Sequence, residues 1–123
     1  MKTISRSIDP ASASDLLTQV PRACLAFSSP HGAQSQPVTL KWHENRYFVG
    51  LPERASDLPA GEVVLLVDQG VHFFDLRAIY IRGQVQPVDP PSGADSGYTW
   101  FEVIPTKTVA WDYGTLHEVN DEA

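Results

Sequence analysis

The sequence predicts a mainly β protein, a small antiparallel barrel of six strands with one or two short helices. Three observations favour this class. Six segments are rich in β-branched and aromatic residues, turn residues separate them, and no helical crossover lies between them. The 123 residues fit one domain, which we expect over residues 11–115, between an N-terminal arm (1–10) and an acidic tail (116–123).

The first half of the chain predicts a short helix followed by an antiparallel meander. In SASDLLTQV, Ser12 or Ser14 can cap a helix that ends at Pro21. The strands RACLAFSS, QPVTLKWH and RYFVGL follow, separated by the turns PHGAQS and EN. The middle strand alternates, so we expect its apolar residues in the core: Val38, Leu40 and Trp42 on one face, and Thr39, Lys41 and His43 on the other.

The second half predicts three longer strands. EVVLLVD is apolar on both faces, so we expect a central strand that is covered on two sides. DLRAIYIRGQVQPV alternates, and Gly83 within it marks a bulge or a close approach of backbones. YTWFEVIPTKTVAWDYG follows the loop DPPSGADSG. We expect Pro105 to interrupt this last strand and the acidic tail to fray.

Composition and charge exclude several functional classes. A net charge of -6 disfavours a nucleic-acid partner, because binding to a phosphate backbone requires a basic surface. No apolar segment is long enough to span a membrane, and the N-terminus lacks the apolar region of a signal peptide. Cys24 is the only cysteine, and its apolar neighbours predict a buried, inert thiol. We therefore expect a cytoplasmic protein without a membrane partner.

No compact catalytic motif is present. The four histidines lack the spacing of a metal site, and neither a glycine-rich phosphate loop nor a G-x-S-x-G elbow occurs. Hydroxyl and basic side chains on neighbouring strands could converge on a phosphate, or they could be the solvated outer face of a barrel. The residues concerned are Thr39, Lys41, Arg54, Ser56, Arg77 and Arg82.

The order of these segments resembles the pyridoxamine 5'-phosphate oxidase-like family, the flavin-binding split barrels. The resemblance covers most of the chain. The segments on which it depends are the strand RACLAFSS, the hairpin QPVTLKWHENRYFVG, the connector ERASDLPAGEVVLLVD, the strand LRAIYIRGQVQPV and the final segment FEVIPTKTVAWDYG. The resemblance implies a six-stranded split barrel that forms a two-fold homodimer, with two cofactor sites in the subunit interface.

The resemblance also implies a cofactor and a set of contacts. Members of the family commonly bind FMN, some bind a deazaflavin coenzyme, and a minority bind haem or nothing. The implied ring contacts are Val38, Thr39, Leu40 and Lys41, the implied phosphate contacts are Arg54 and Ser56, and the remaining implied contacts are Arg77, Arg82 and Trp111. Arg77 and Arg82 have opposite strand parity, so one of them at most is expected to face the cofactor.

The function that the resemblance implies is hydride transfer between the flavin and an unidentified small molecule. Lys41 would then favour the anionic reduced flavin, and His43 or Tyr113 would relay a proton. Two alternatives stay open at this point. One is a flavin- or haem-binding protein without turnover, and the other is a dimer without a cofactor.

Overall fold

The structure, a computed structural model, describes residues 2–114 and 117–120. Along the chain the strands are β1 (Lys2–Ser5), β2 (Ser7–Ile8), β3 (Arg22–Ser29), β4 (Gly32–Pro37), β5 (Thr39–His43), β6 (Arg46–Pro52), β7 (Gly61–Gln69), β8 (Arg77–Pro87), β9 (Tyr98–Asp112) and β10 (His117–Asn120). The helical segments are a 3-10 turn at Pro10–Ala13, helix α1 (Asp15–Gln19) and a second 3-10 turn at Phe73–Asp75.

The main sheet has eight strands within the described residues, so the predicted count of six was wrong. The strand order is β4-β3-β7-β8-β9-β6-β5, with β2 added to β9, and each pair is antiparallel. One extra strand arises because the turn after β3 is shorter than predicted, so that Gly32–Pro37 pairs along β3. The other arises where Ser7 and Ile8 pair with Trp111 and Ala110.

Strands β4 and β5 form one bent ribbon whose halves pair with different neighbours. β4 pairs with β3, β5 pairs with β6, and only Val38 lies between them. The backbone N–H of Val38 donates to the carbonyl of Ala23 at 3.0 Å. The two end strands of the sheet are therefore joined through a single residue, and the sheet curls into a split barrel.

The inner face of the barrel holds the apolar core. On β7 the alternate residues Val63, Leu65 and Val67 are buried, and Ile79 and Ile81 on β8 are buried beside them. Helix α1 adds two buried leucines to the same cluster. Burial of one such side chain stabilises the fold by about 1.5–3 kcal/mol. The predicted alternation of β5 is confirmed, because Leu40 is buried and Val38 and Trp42 pack against the core.

Strands β8 and β9 are the longest pair, and their register shifts between Arg82 and Gly83. The bulge or close approach predicted at Gly83 is confirmed. Strand β9 continues through Pro105, so the predicted interruption was wrong. The pairing of β6 with β9 ends at Val103, and that of β2 begins at Ala110. At Pro105, β9 therefore has a neighbour on the β8 side alone among the described strands, a position where proline is tolerated.

The N-terminal arm and part of the tail pair with each other. β1 and β10 form a separate two-stranded sheet in which Lys2 lies opposite Asn120 and Ser5 opposite His117. The expectation of a frayed tail was therefore wrong for residues 117–120, while residues 116 and 121–123 of the tail lie outside the described residues. In the described part of the chain, no helix has the length and apolar character needed to cross a membrane.

Candidate functional site

A groove follows the unpaired side of β5, between that strand, the end of α1 and the beginning of β3. Its central part has a volume of about 670 Å³ and is lined by Cys24, Val38, Thr39 and Leu40, among others. A second part of about 730 Å³ continues from Leu40 past Lys41 and His43. A third part of about 410 Å³ begins at Pro52 and Tyr98, which also line the central part, and reaches Arg54. We call these three connected parts the split groove.

The split groove exists because β5 is an end strand. Its neighbour on one side is β6, and no described strand lies on the other. Alternate backbone N–H and C=O groups of an end strand point away from its neighbour, so they are directed towards the groove. Apolar walls with a few backbone polar groups are typical of sites for small-molecule ligands.

Four of the predicted contacts, Val38, Thr39, Leu40 and Lys41, lie together in the split groove. Thr39 lies opposite Gly50 on β6. A Cβ atom on Gly50 would lie 2.8 Å from the methyl group of Thr39 and 3.1 Å from the ring of Trp100, so glycine permits this close packing. Lys41 forms no ion pair or hydrogen bond with another described residue, which leaves its ammonium group available to a ligand.

The connector between β6 and β7, residues 53–60, carries the two predicted phosphate contacts. Arg54 lines the third part of the groove, and Ser56 is exposed two residues further on. Neither side chain bonds to another described residue. The connector therefore presents one guanidinium and one hydroxyl group that have no partner within the part of the chain that the structure describes.

The two arginines of β8 lie outside the split groove, on opposite faces of their strand as their parity predicted. Arg77 donates two hydrogen bonds to Asp15, at 2.7 and 2.8 Å, and lies 3.9 Å from Asp112. The Arg77 guanidinium lowers the pKa of the Asp15 carboxyl below its ordinary value. Arg82 is exposed and lies 3.6 Å from Glu62. Arg77 thus joins helix α1 to the barrel, a contact that strand parity alone does not reveal.

Trp111 also lies apart from the split groove within one chain. Its ring packs on Tyr80 with 5.2 Å between centroids, on the outer face of the sheet. Leu66 and Tyr80 are cross-strand neighbours, and Tyr80 has Val109 on its other side. We call this surface, formed by Cys24, Val64, Leu66, Tyr80, Val109 and Trp111, the outer apolar face.

Cys24 is only partly buried and lines the central part of the split groove, so the expectation of a buried thiol was wrong. Its strand neighbours Ala23 and Leu25 point into the core, whereas Cys24 belongs to the outward set of β3. Among residues 2–114 and 117–120, no three His, Cys, Asp or Glu side chains cluster in a metal-ligating arrangement.

An ion pair that the sequence did not suggest lies beside the groove. Glu102 on β9 is 5% exposed and accepts two hydrogen bonds from Arg46, at 2.7 and 2.9 Å. The Arg46 hydrogen bonds lower the pKa of the Glu102 carboxyl below its ordinary value. The Arg46 guanidinium also lies over the Phe48 ring, 4.8 Å from its centroid. The one available signal was a carboxylate inside the apolar run WFEVI.

Comparison with known proteins identifies the fold. No protein-family model and no curated protein sequence matches the chain. Solved structures do match. An FAD-binding protein from Mycobacterium smegmatis has a TM-score of 0.68 at 13% identity, and the match covers 85% of this chain and 95% of that one. A candidate pyridoxamine 5'-phosphate oxidase from Corynebacterium glutamicum has a TM-score of 0.63 at 12% identity, over 87% and 90% of the two chains.

A third similar structure has a different ligand in its name. It is HutZ, the haem storage protein from Vibrio cholerae, with a TM-score of 0.61 at 10% identity over 87% of this chain and 92% of that one. Together with the bent ribbon at Val38, these matches define the class as a split-barrel protein. More particularly, the chain has the fold of the pyridoxamine 5'-phosphate oxidase-like flavin-binding proteins.

Proposed function

We propose that the chain is an FMN-binding oxidoreductase of the cytoplasm that uses the split groove for its flavin. The observation that carries the proposal is that two cations without a partner among the described residues, Lys41 and Arg54, both line the split groove. Lys107 has no such partner either, but it is exposed and lines none of the three parts of the groove. By contrast, Arg22, Arg46, Arg77 and Arg82 each lie within 4 Å of a carboxylate. In an acidic chain, unpaired cations beside apolar walls favour a small-molecule ligand with an anionic group.

The residues present fit such a cofactor. Arg54 and Ser56 would hold the phosphate by charge-assisted hydrogen bonds, and Val38, Thr39 and Leu40 would line the ring. The bound flavin would supply hydride transfer at its ring, to or from a small molecule that the fold does not specify. The protein's contribution would then be to orient the ring, to exclude water through its apolar walls and to place the Lys41 charge beside the site.

The first test measures FMN binding to the purified chain by fluorescence titration. Arg54→Ala should weaken FMN binding roughly tenfold or more, because a hydrogen bond to a charged group contributes about 1.5–3 kcal/mol. Lys107→Ala is the matched control, since Lys107 is an exposed cation that lines none of the three parts of the groove. Equal losses for both variants would contradict the assignment of the phosphate to the connector.

Parallel titrations with haem, followed by absorption, and with a deazaflavin, followed by fluorescence, separate the alternatives. Haem binding would give a Soret band and would favour a storage or carrier role, a possibility that the likeness to HutZ supports. Tighter binding of a deazaflavin than of FMN would support the split groove as the cofactor site, but the cofactor would then be a deazaflavin. A chain that binds none of these would favour the dimer without a cofactor and would refute the proposal.

We also propose that the protein is a homodimer formed through the outer apolar face. Strand β7 has apolar residues on both faces, and only the inner set is covered within one chain: Leu66 is 37% exposed, whereas Leu65 is fully buried. Charged residues such as Arg22, Asp68 and Arg82 surround the apolar centre. An apolar centre with a charged rim is typical of an interface between identical subunits.

Leu66→Arg should convert the dimer to a monomer, because it would bury an unpaired charge at the centre of the interface. Sedimentation equilibrium gives the mass directly. Leu58→Arg is the matched control, since Leu58 is more exposed, at 51%, but lies on the connector. A monomeric unmodified chain, or a dimer that survives Leu66→Arg, would contradict this interface.

A further inference from the structure

The connector that carries Arg54 and Ser56 is held to the rest of the barrel at separate points. At its start, the N–H of Glu53 donates to the carbonyl of Gly97 at 3.0 Å. Near its end, Pro59 is buried. Between these points the N–H of Ala55 donates to the carbonyl of Pro52 at 2.9 Å, which closes a turn around Arg54. The residues that follow have no regular secondary structure, so their position depends on side-chain contacts.

The main side-chain contact is made by Asp57 to the β3–β4 hairpin. One carboxylate oxygen lies 3.1 Å from Nδ1 of His31, and the other lies 3.3 Å from the hydroxyl of Ser29. The same hydroxyl accepts a hydrogen bond from the backbone N–H of His31 at 3.1 Å. We call these three residues, Ser29, His31 and Asp57, the hairpin clamp.

The burial of the hairpin clamp is uneven, and this decides how it can act. The Asp57 side chain is 17% exposed, whereas His31 is 76% exposed. An ion pair between two exposed groups contributes little to stability. Here, however, the carboxylate is largely withdrawn from water and has two partners from another part of the chain, so it fixes the backbone of the connector at residue 57.

We propose that the hairpin clamp positions Arg54 and Ser56 for a phosphate group, with Asp57 as the positioning residue. The inference rests on the proposed flavin function and goes beyond it, because it assigns the recognition of the phosphate to a preorganised loop. Arg54 and Ser56 lie between the Glu53 bond and the clamp, and both lack side-chain partners. A loop that is already fixed loses less conformational entropy when its side chains close on a ligand.

The decisive measurement compares two ligands that differ only in the phosphate, FMN and riboflavin. Asp57→Ala should weaken FMN binding about tenfold, the size expected when a loop and its long side chains must be ordered on binding, and should leave riboflavin binding unchanged. His31→Ala should show the same selective loss to a smaller degree, without risk to the fold, because His31 is mostly exposed. An equal loss for both ligands, or no loss for FMN, would overturn the proposal.

A ligand-free readout accompanies the titration. Trypsin cleaves after arginine, and cleavage after Arg54 should become faster in Asp57→Ala and His31→Ala if the clamp holds the connector in place. Glu44→Ala is the matched control, because Glu44 and His43 form a similar exposed pair at the other hairpin, 3.5 Å apart. Unchanged cleavage would overturn the clamp. An unmodified chain that binds neither ligand, with faster cleavage in the variants, would instead refute the flavin function and with it the phosphate role.

Discussion

Gly83→Ala is expected to destabilise the protein by roughly 3 kcal/mol, one of the two largest effects that the structure predicts. The reason is steric. A Cβ atom on Gly83 would overlap the carbonyl oxygen of Ile104 and lie 3.1 Å from the Cα of Pro105. Both neighbours are backbone atoms of β9, so the clash cannot be relieved by a side-chain rotation. Strands β8 and β9 would have to move apart at their register shift.

Urea unfolding measures this loss, with Gln84→Ala as the control. Gln84 is the next residue on the same strand and is exposed, so its truncation should change the free energy of unfolding by less than about 0.5 kcal/mol. A Gly83→Ala protein as stable as the control would mean that the two strands are not packed backbone to backbone at this point.

The second large effect is expected at the buried ion pair. Glu102→Gln should lower the free energy of unfolding by about 2 kcal/mol at neutral pH, because it removes the charge that the Arg46 guanidinium faces. This loss of stability is smaller than that expected for a fully buried ion pair, because the Arg46 side chain is 54% exposed and can regain water. Glu62→Gln is the control, because Glu62 and Arg82 form an exposed pair on the outer face.

The pH dependence distinguishes charge from packing in this prediction. The folded-state pKa of Glu102 lies below its ordinary value of 4.5, so the stabilisation is complete above that pH and is lost as the pH falls through the folded-state value. The difference between Glu102→Gln and the unmodified chain should therefore shrink as the pH is lowered from 4.5 through the folded-state pKa of Glu102. A difference that stays constant with pH would assign the loss to packing instead.

Most of the fold follows from patterns that reside within one strand. The alternation of QPVTLKWH correctly assigned Leu40 to the core, and the doubly apolar EVVLLVD correctly placed β7 between two neighbours. Strand β4 escaped prediction because GAQS is polar and has no periodic pattern; its pairing is set by the adjacent β3. Strands β2 and β10 are likewise defined by partners at the far end of the chain.

For the candidate site, too, the sequence predicted features that depend on one strand or one side chain, and it did not predict contacts between distant segments. Thr39 and Lys41 could be placed on the outward face of β5 from alternation, and Arg54 was a candidate from its basic side chain before the resemblance gave it a phosphate role. The partners of charged residues could not be inferred, because strand parity gives a face and not a neighbour. Arg77 bonds to Asp15, 62 residues away in sequence, and Asp57 bonds to Ser29, 28 residues away.

The bend at Val38 has a consequence for association between molecules. An open sheet has two unpaired edges, and each can recruit a strand from another chain. Here the two end strands are one continuous ribbon, so both edges are short and lie near each other. Pro37 ends one of them, and the charged Lys41 lies in the other; both residue types discourage strand addition. The same turn of the backbone that opens the groove therefore protects the sheet against edge-to-edge aggregation.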